Sequence, residues 1–90
     1  MMRRTALITG ASSGIGEAFA TVFASEGFDL VITARRAERL QDVADRLEGQ
    51  YGGRVHVITG DLAQRDAARR LCEELAARGL QIDALVNNAG

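Results

Sequence analysis

The 90-residue sequence contains no proline, no tryptophan and no lysine, and it has one cysteine and one histidine. A single cysteine, Cys72, excludes an internal disulfide and is compatible with a reducing compartment. With His56 it provides too few ligands for a typical zinc site, so no metal site is predicted. We interpret His56 as a structural strand residue and Cys72 as buried packing on a helix. The absence of proline leaves every candidate helix without its strongest breaker.

Charge and hydropathy exclude further classes of protein. The formal net charge is -1, so the sequence predicts no nucleic-acid partner and no anionic membrane partner. The apolar run that follows Arg4 stops at Thr9 and Gly10, which is too short for a signal peptide, and no stretch approaches the length of a membrane span. Hydrophobic residues make up 47% of the chain and charged residues 26%. This composition is typical of a globular protein, and we expect one cytoplasmic domain over residues 1–90.

Apolar runs rich in β-formers alternate with helical patterns along the chain. The runs predict strands at residues 5–9, 29–34 and 54–59, and a fourth strand in 82–90 that ends in a turn. Between them, apolar residues recur at the spacing of amphipathic helices. These residues are Ile15, Ala18, Phe19, Val22 and Phe23 in the first helix, Ala37, Leu40, Val43, Ala44 and Leu47 in the second, and Ala67, Leu71 and Leu75 in the third. Gly27, Gly49 and Gly79 would end the helices, and Tyr51–Gly53 would form a turn.

The order β-α-β-α-β-α-β predicts an α/β fold. Strands that are apolar throughout and separated by helices favour a parallel sheet covered on both faces. Right-handed crossovers in a doubly wound, Rossmann-type sheet give the strand order 3-2-1-4. The first two helices then cover one face and the third covers the other. A ligand crevice is expected at the carboxyl ends of the neighbouring strands 1 and 4.

A glycine-rich loop follows the first predicted strand. Gly10, Gly14 and Gly16 permit a tight turn into the helix and let backbone N–H groups approach a pyrophosphate at the helix N-terminus. Ser12 and Ser13 can add hydroxyl donors. The alternative interpretation is a tight strand-to-helix turn with a serine or glycine as helix cap. A P-loop is excluded, because it requires a lysine at the helix start and the chain has none.

Two arginines follow the second predicted strand, at the place where dinucleotide folds that use NAD have an acidic residue. Arg35 and Arg36 would precede a helix N-terminus, a position that the helix dipole disfavours for cations. A bound anion, the 2′-phosphate of NADP, would account for them, since arginine is well suited to phosphate. We therefore favour NADP over NAD. The alternative is a solvated pair partly offset by Glu38.

Asp61 and Leu62 follow the third predicted strand. The Asp61 carboxylate could accept a hydrogen bond from the amino group of adenine. Asp61 and Gln64 also have the spacing of a helix capping box. The two interpretations are compatible.

Four segments occur together in this order: TGASSGIG at residues 9–16, ARR at 34–36, DL at 61–62 and NNAG at 87–90. In this combination the chain resembles the short-chain dehydrogenase/reductase family over nearly its whole length. The resemblance implies a Rossmann fold, a bound NAD or NADP, and hydride transfer between nicotinamide and an alcohol or carbonyl.

The resemblance also implies roles for individual residues. The loop residues Gly10, Ser12, Ser13, Gly14, Ile15 and Gly16 would line the pyrophosphate and the adenosine ribose. Arg35, with Arg36, would bind the 2′-phosphate, and Asp61 and Leu62 would contact adenine. Asn88, Ala89 and Gly90 would border the ribose. Asn87 would help to tie the sheet together.

The sequence departs from the family pattern in two respects. Members that use NADP often carry a basic residue just before the second glycine, where this chain has Ser13. The family's chemistry uses a Ser and a Tyr-x-x-x-Lys pair downstream of NNAG, whereas the one tyrosine here, Tyr51, is followed four residues later by Val55. No catalytic residue is therefore predicted in this chain.

We expect the cofactor-binding part of a longer NADP-dependent oxidoreductase that continues past Gly90. The alternatives are a non-catalytic dinucleotide-binding module and an inactive remnant. The fourth strand would be an exposed apolar edge, which invites pairing between chains. Self-association through this strand and an uncovered sheet face is therefore predicted.

Overall fold

Strands and helices alternate along the chain. A computed structural model describes residues 3–88. The elements are β1 (Thr5–Thr9), α1 (Gly14–Ser25), β2 (Asp29–Ala34), α2 (Ala37–Tyr51), β3 (Val55–Thr59), α3 (Ala67–Ala77) and β4 (Ala84–Val86). The strands form a parallel sheet in the order β3-β2-β1-β4. The predicted α/β architecture and strand order are confirmed. No helix among the described residues is long and apolar enough to span a bilayer.

The two faces of the sheet are covered unequally. Alternate residues of β1 and β2, among them Ile8 and Leu30, point toward α1 and α2 and are fully buried there. The opposite face has a smaller cluster in which Leu7 and Val31 pack with Leu75 of α3. Each fully buried aliphatic side chain contributes roughly 1.5–3 kcal/mol, so most of the stabilisation lies on the face covered by two helices.

The helix α1 packs against the sheet through small residues. Gly16, Ala20 and Ala24 are its buried positions. The expected apolar stripe points elsewhere, since Ile15 is 66% exposed and Val22 56%. The first helix is thus confirmed, and Phe23 packs against the core as expected, but the other four residues of the expected stripe are exposed. The small side chains form the buried face because they let the helix axis come closer to the strands than a phenylalanine or isoleucine would.

The end of α2 and the extent of β4 also differ from expectation. The helix continues past Gly49 and ends at Tyr51, where Gly52 adopts a φ of 82° and donates to the carbonyl of Glu48. The strand β4 has three residues and begins two residues after the start of the predicted segment 82–90. Before it, the Asp83 carboxylate accepts from the N–H of Thr5 at 2.8 Å, and the N–H of Asp83 donates to the carbonyl of Thr5 at 2.8 Å.

Two local expectations about α3 are wrong. Cys72 is exposed rather than buried. The capping box does not form, because α3 begins six residues after Asp61, at Ala67. The Asp61 carboxylate instead accepts from the N–H of Ala63 at 3.0 Å. The side chain of Gln64 accepts from Arg70 at 2.8 Å.

Candidate functional site

An open cleft of about 1170 Å³ lies at the carboxyl ends of the strands. Its walls come from the loop between β1 and α1, the start of α2, the loop after β3 and the segment after β4. The predicted site residues that line it are Gly10, Ser12, Ser13, Gly14, Ile15, Arg35, Arg36, Asp61, Leu62 and Asn88. Of the other predicted residues, Gly16 is buried outside the cleft wall, and Ala89 and Gly90 lie outside the described residues.

The glycine loop is closed by its own serine. The hydroxyl of Ser13 caps α1 by accepting from the N–H of Gly16 at 3.1 Å, and it donates to the carbonyl of Gly10 at 2.9 Å. Ser13 thus acts as the helix cap that the alternative interpretation expected. Its proton is directed to the loop itself. The hydroxyl of Ser12 has no hydrogen-bond partner among residues 3–88 and lines the cleft.

Two glycines permit close backbone contacts in this loop. Gly10 has a φ of 64°, and a Cβ there would collide with the carbonyl oxygen of Asn88. A Cβ on Gly16 would collide with the carbonyl oxygen of Gly10 and lie 2.9 Å from the Asn88 side-chain nitrogen. Gly14 has nothing within 4 Å of a Cβ position. Gly10 and Gly16 are therefore required for packing, whereas Gly14 leaves space at the cleft.

A buried threonine joins β1 to the end of β4. The hydroxyl of Thr9 accepts from the backbone N–H of Asn88 at 2.8 Å. Its own proton is within reach of the side-chain oxygen of Asn87 at 3.0 Å. The side-chain amide of Asn88 donates to the hydroxyl of Ser13 at 3.0 Å. These bonds fix the segment after β4 against the glycine loop.

Three arginines line one wall of the cleft: Arg35, Arg36 and Arg39. Arg35 and Arg36 are exposed, and within residues 3–88 neither has a carboxylate partner at 4.0 Å or less. Glu38 makes no ion pair with either arginine within this range, and their exposure also fits the alternative of a solvated pair. Arg36 is the N-cap of α2 and provides no side-chain cap. The N-terminal N–H groups of α2 thus add a partial positive charge beside these arginines.

The loop after β3 forms the facing part of the cleft. The N–H of Gly60 donates to the carbonyl of Ala34 at 3.0 Å, which joins this loop to the end of β2. Asp61 and Leu62 follow and are half-buried. One oxygen of the Asp61 carboxylate accepts from Ala63, and the other has no hydrogen-bond partner among the described residues. The unpartnered carboxylate oxygen can accept a hydrogen bond from an amino group, and the apolar side chain beside it can pack against an aromatic ring.

Tyr51 lies far from the cleft. It is the last residue of α2, whose first turn lines the cleft, and 15 residues of helix extend roughly 20 Å. Its ring packs against the main core cluster. Within residues 3–88, no group of three or more His, Cys, Asp and Glu side chains is arranged to hold a metal ion.

Sequence reasoning missed Thr9 and Arg39. Thr9 ends a mostly apolar strand, but the same strand also begins with a threonine, Thr5, so a hydroxyl at position 9 is not a specific signal. Arg39 lies inside a helix, where an arginine is ordinarily a solvated surface residue. Neither signal distinguishes a site residue from a surface or strand residue.

Comparison with known proteins identifies the family of this chain. A family model described as short chain dehydrogenase matches residues 4–90. The chain is 40% identical to L-sorbose reductase from Gluconobacter frateurii, solved in complex with NADPH and L-sorbose, with a TM-score of 0.92 over 98% of this chain and 34% of that one. It is 41% identical to a short-chain dehydrogenase from Sphingobium yanoikuyae in complex with NADPH, with a TM-score of 0.86 over 97% of this chain and 34% of that one.

A curated relative shows the same partial coverage. The chain is 38% identical to 17-beta-hydroxysteroid dehydrogenase type 3 of Rattus norvegicus over 89 residues, which is 99% of this chain and 28% of the rat protein. The match therefore includes almost all of this sequence and less than a third of the relative's length. From its fold, its glycine loop and these matches, the chain belongs to the short chain dehydrogenase family.

Proposed function

We propose that this chain binds NADP in the cleft and is the cofactor-binding segment of an oxidoreductase. When bound, the nicotinamide would carry hydride to or from an alcohol or carbonyl substrate. The chain spans 28% of the rat relative and 34% of the sorbose reductase. The activity of the whole protein is therefore inferred from family membership. No substrate is proposed, since the two relatives are named for a steroid and a sugar.

The glycine loop would hold the pyrophosphate. Gly10 and Gly16 bring the loop against the start of α1, and a side chain at either position would collide with backbone. Exposed Gly14 lets the ligand approach the N-terminal N–H groups of the helix, where partial positive charge favours phosphate. The hydroxyl of Ser12 supplies a further donor. Ile15, 66% exposed at the cleft, would contact the adenosine ribose.

The arginine wall carries the choice of NADP over NAD. Arg35 and Arg36 have no carboxylate partner among residues 3–88, and they stand at a helix N-terminus without a side-chain cap. Two unpaired cations at the positive end of a helix repel one another and the helix dipole. A phosphate monoester would relieve this repulsion with charge-assisted hydrogen bonds. This arrangement is the observation on which the proposal depends.

The remaining contacts follow from the other walls. Asp61 would accept from the adenine amino group while Leu62 covers the ring. Asn88 would border the ribose, together with Ala89 and Gly90, which lie outside the described residues.

Binding without turnover is the second candidate function of the 90-residue chain. The observation that favours it is the position of Tyr51, which lies a full helix length from the cleft. As a non-catalytic module, the complete natural protein would bind NADPH without oxidising it in the presence of carbonyl compounds, as monitored by absorbance. Steady NADPH oxidation by the complete protein would contradict this candidate.

Self-association is also proposed. The strand β4 is at one edge of the sheet. Leu85 in that strand is 63% exposed. An apolar edge strand can pair with another chain.

Calorimetric titration with NADP⁺ and NAD⁺ tests the proposed function. We expect the wild-type chain to bind NADP⁺ at least tenfold more tightly, a typical effect of charge-assisted hydrogen bonds. The double variant Arg35→Ala/Arg36→Ala should lose this preference while retaining its affinity for NAD⁺. Arg65→Ala is the matched control, because Arg65 is exposed but does not line the cleft. Equal affinities of the wild type would overturn the NADP assignment, and absence of binding would favour an inactive remnant.

A further inference from the structure

The arginine wall has a third member that the proposed NADP site has not used. Arg39 lies one turn into α2, three residues after Arg36, and lines the same cleft. Arg36 is the N-cap, with an extended backbone, and both residues line the cleft. The side chain of Arg39 is 54% exposed, so an incoming ligand can reach it.

Arg39 is held by a carboxylate from the neighbouring helix. Its Nη2 donates to Oε1 of Glu17 at 2.7 Å. Arg46 donates to the other oxygen of Glu17 at 2.9 Å, and also to the hydroxyl of Thr21 at 3.2 Å. Glu17 is the more buried partner, with 23% of its side chain exposed. The carboxylate thus fixes two arginines on the flank of α1.

This cluster of Glu17, Arg39 and Arg46 keeps a net positive charge. One carboxylate is shared between two guanidinium groups, so Arg39 is only partly neutralised. Arg39 uses one of its five N–H donors toward Glu17. Its other donors have no hydrogen-bond partner among residues 3–88. The guanidinium is therefore oriented in advance, and it retains donors and charge for an anion in the cleft.

We propose that Arg39 is a specificity-determining residue that contacts the 2′-phosphate of NADP and is positioned by Glu17. This inference rests on the proposed function, because it assigns a further residue to the same phosphate. A phosphate monoester carries nearly two negative charges and three acceptor oxygens. Arg35, Arg36 and Arg39 supply donors from a loop, a helix cap and a helix interior. Arg39 is the member of this set whose orientation is fixed by an ion pair.

The contrary interpretation is that Arg39 only joins α2 to α1. Arg46 separates the two interpretations. It makes the same type of ion pair with the same carboxylate, but it does not line the cleft. A purely structural role would make the Arg39→Ala and Arg46→Ala variants alike in ligand binding.

Titration of the 90-residue chain with adenosine 2′,5′-bisphosphate and with 5′-AMP tests the proposal. These ligands differ only in the 2′-phosphate. We expect Arg39→Ala to weaken binding of the bisphosphate about tenfold, and binding of 5′-AMP less than about twofold. Arg46→Ala keeps the Arg39 guanidinium in place, so it should change the ratio of the two affinities much less than Arg39→Ala does. Arg39→Gln keeps a donor toward Glu17 without the charge, and it should lower the ratio as Arg39→Ala does.

The outcomes distinguish this inference from the function on which it rests. If the wild type discriminates between the ligands and the Arg39 variants keep its ratio, the role of Arg39 is overturned and the NADP site stands. Equal loss in Arg39→Ala and Arg46→Ala likewise overturns it in favour of a structural role. A wild type that binds both ligands equally overturns the NADP proposal itself. Affinity for 5′-AMP and the far-ultraviolet circular dichroism spectrum report whether each variant is folded, and Arg39→Gln provides the test if Arg39→Ala is not.

Discussion

At the scale of single residues, the glycine loop depends on missing side-chain atoms. Gly16 is buried beneath the loop, and an added Cβ would lie 2.8 Å from the carbonyl carbon of Gly10. Backbone cannot move aside as the end of a flexible side chain can. Gly14, two residues earlier, faces open space at the start of the same helix. The two glycines therefore have different physical reasons for their presence.

We expect Gly16→Ala to lower the free energy of unfolding by about 2–3 kcal/mol, because the methyl group must displace the loop backbone. Gly14→Ala is the matched control and should change stability by less than about 1 kcal/mol, with the helix propensity of alanine in its favour. Urea denaturation followed by circular dichroism measures both. Equal effects of the two substitutions would show that the close approach at Gly16 is not required.

The sequence predicted part of the loop and missed the residues that fix it. Glycine spacing after a strand indicated Gly10 and Ser13, because a tight turn leaves few alternatives. The role of Thr9 depends on Asn88, a residue far along the chain that only the folded sheet brings near. The position of Arg39 at the cleft depends on how α2 is oriented in the folded protein. No local sequence pattern gives that orientation.

At the scale of elements, α2 shows what ends a helix in this protein. Gly49 is helical and meets nothing within 4 Å of a Cβ position. Gly52 has equally open space but a φ of 82°. Backbone conformation, and not glycine composition, therefore marks the end of the helix. The sequence could not choose between these glycines, since both follow an apolar pattern that stops at Leu47.

Opposite changes in stability are expected from the same substitution at these two glycines. Gly49→Ala should stabilise the chain by about 0.5–1 kcal/mol, because glycine within a helix loses more backbone entropy on folding. Gly52→Ala should destabilise it by about 1–2 kcal/mol, the cost of a left-handed conformation for an L-residue. Thermal and urea denaturation of both variants measure the sign directly. Stabilisation by both would place the end of α2 elsewhere.

The buried face of α1 was also not predictable from the sequence. Periodicity predicted a helix correctly, but it selected the largest apolar residues as the buried face. The sheet accepts instead the face made of Gly16, Ala20 and Ala24. Large residues such as Phe19, 42% exposed, remain on the outside. Packing distance between helix and sheet is a tertiary property, so hydropathy alone could not identify this face.

At the scale of the whole molecule, strand order was the most predictable property. Right-handed crossovers and uninterrupted apolar strands leave few arrangements for this element order. The order leaves β4 at the edge of the sheet, beside β1. Leu85 is exposed there, on a strand of three residues. The edge therefore has backbone N–H and C=O groups available for strand pairing next to an exposed apolar side chain.

We expect the sedimentation coefficient of the wild-type chain to rise with concentration. Leu85→Arg should weaken association about tenfold or more, because burial of a leucine side chain contributes roughly 1.5–3 kcal/mol. Gln81→Arg serves as the control, since Gln81 is exposed and lies before the strand. A wild-type chain that sediments as a monomer at all concentrations would contradict self-association through this edge.

The unequal covering of the sheet gives the two sides of the cleft different stiffness. The glycine loop and the arginine wall rest on the face packed by α1 and α2, whose core residues are almost fully buried. The loop with Asp61 and Leu62 leads into α3, which buries only Ala67 and Leu75. Segments with few buried contacts open locally at low free energy. The side proposed for the phosphates is thus set before a ligand arrives, whereas the side proposed for adenine would become ordered around it.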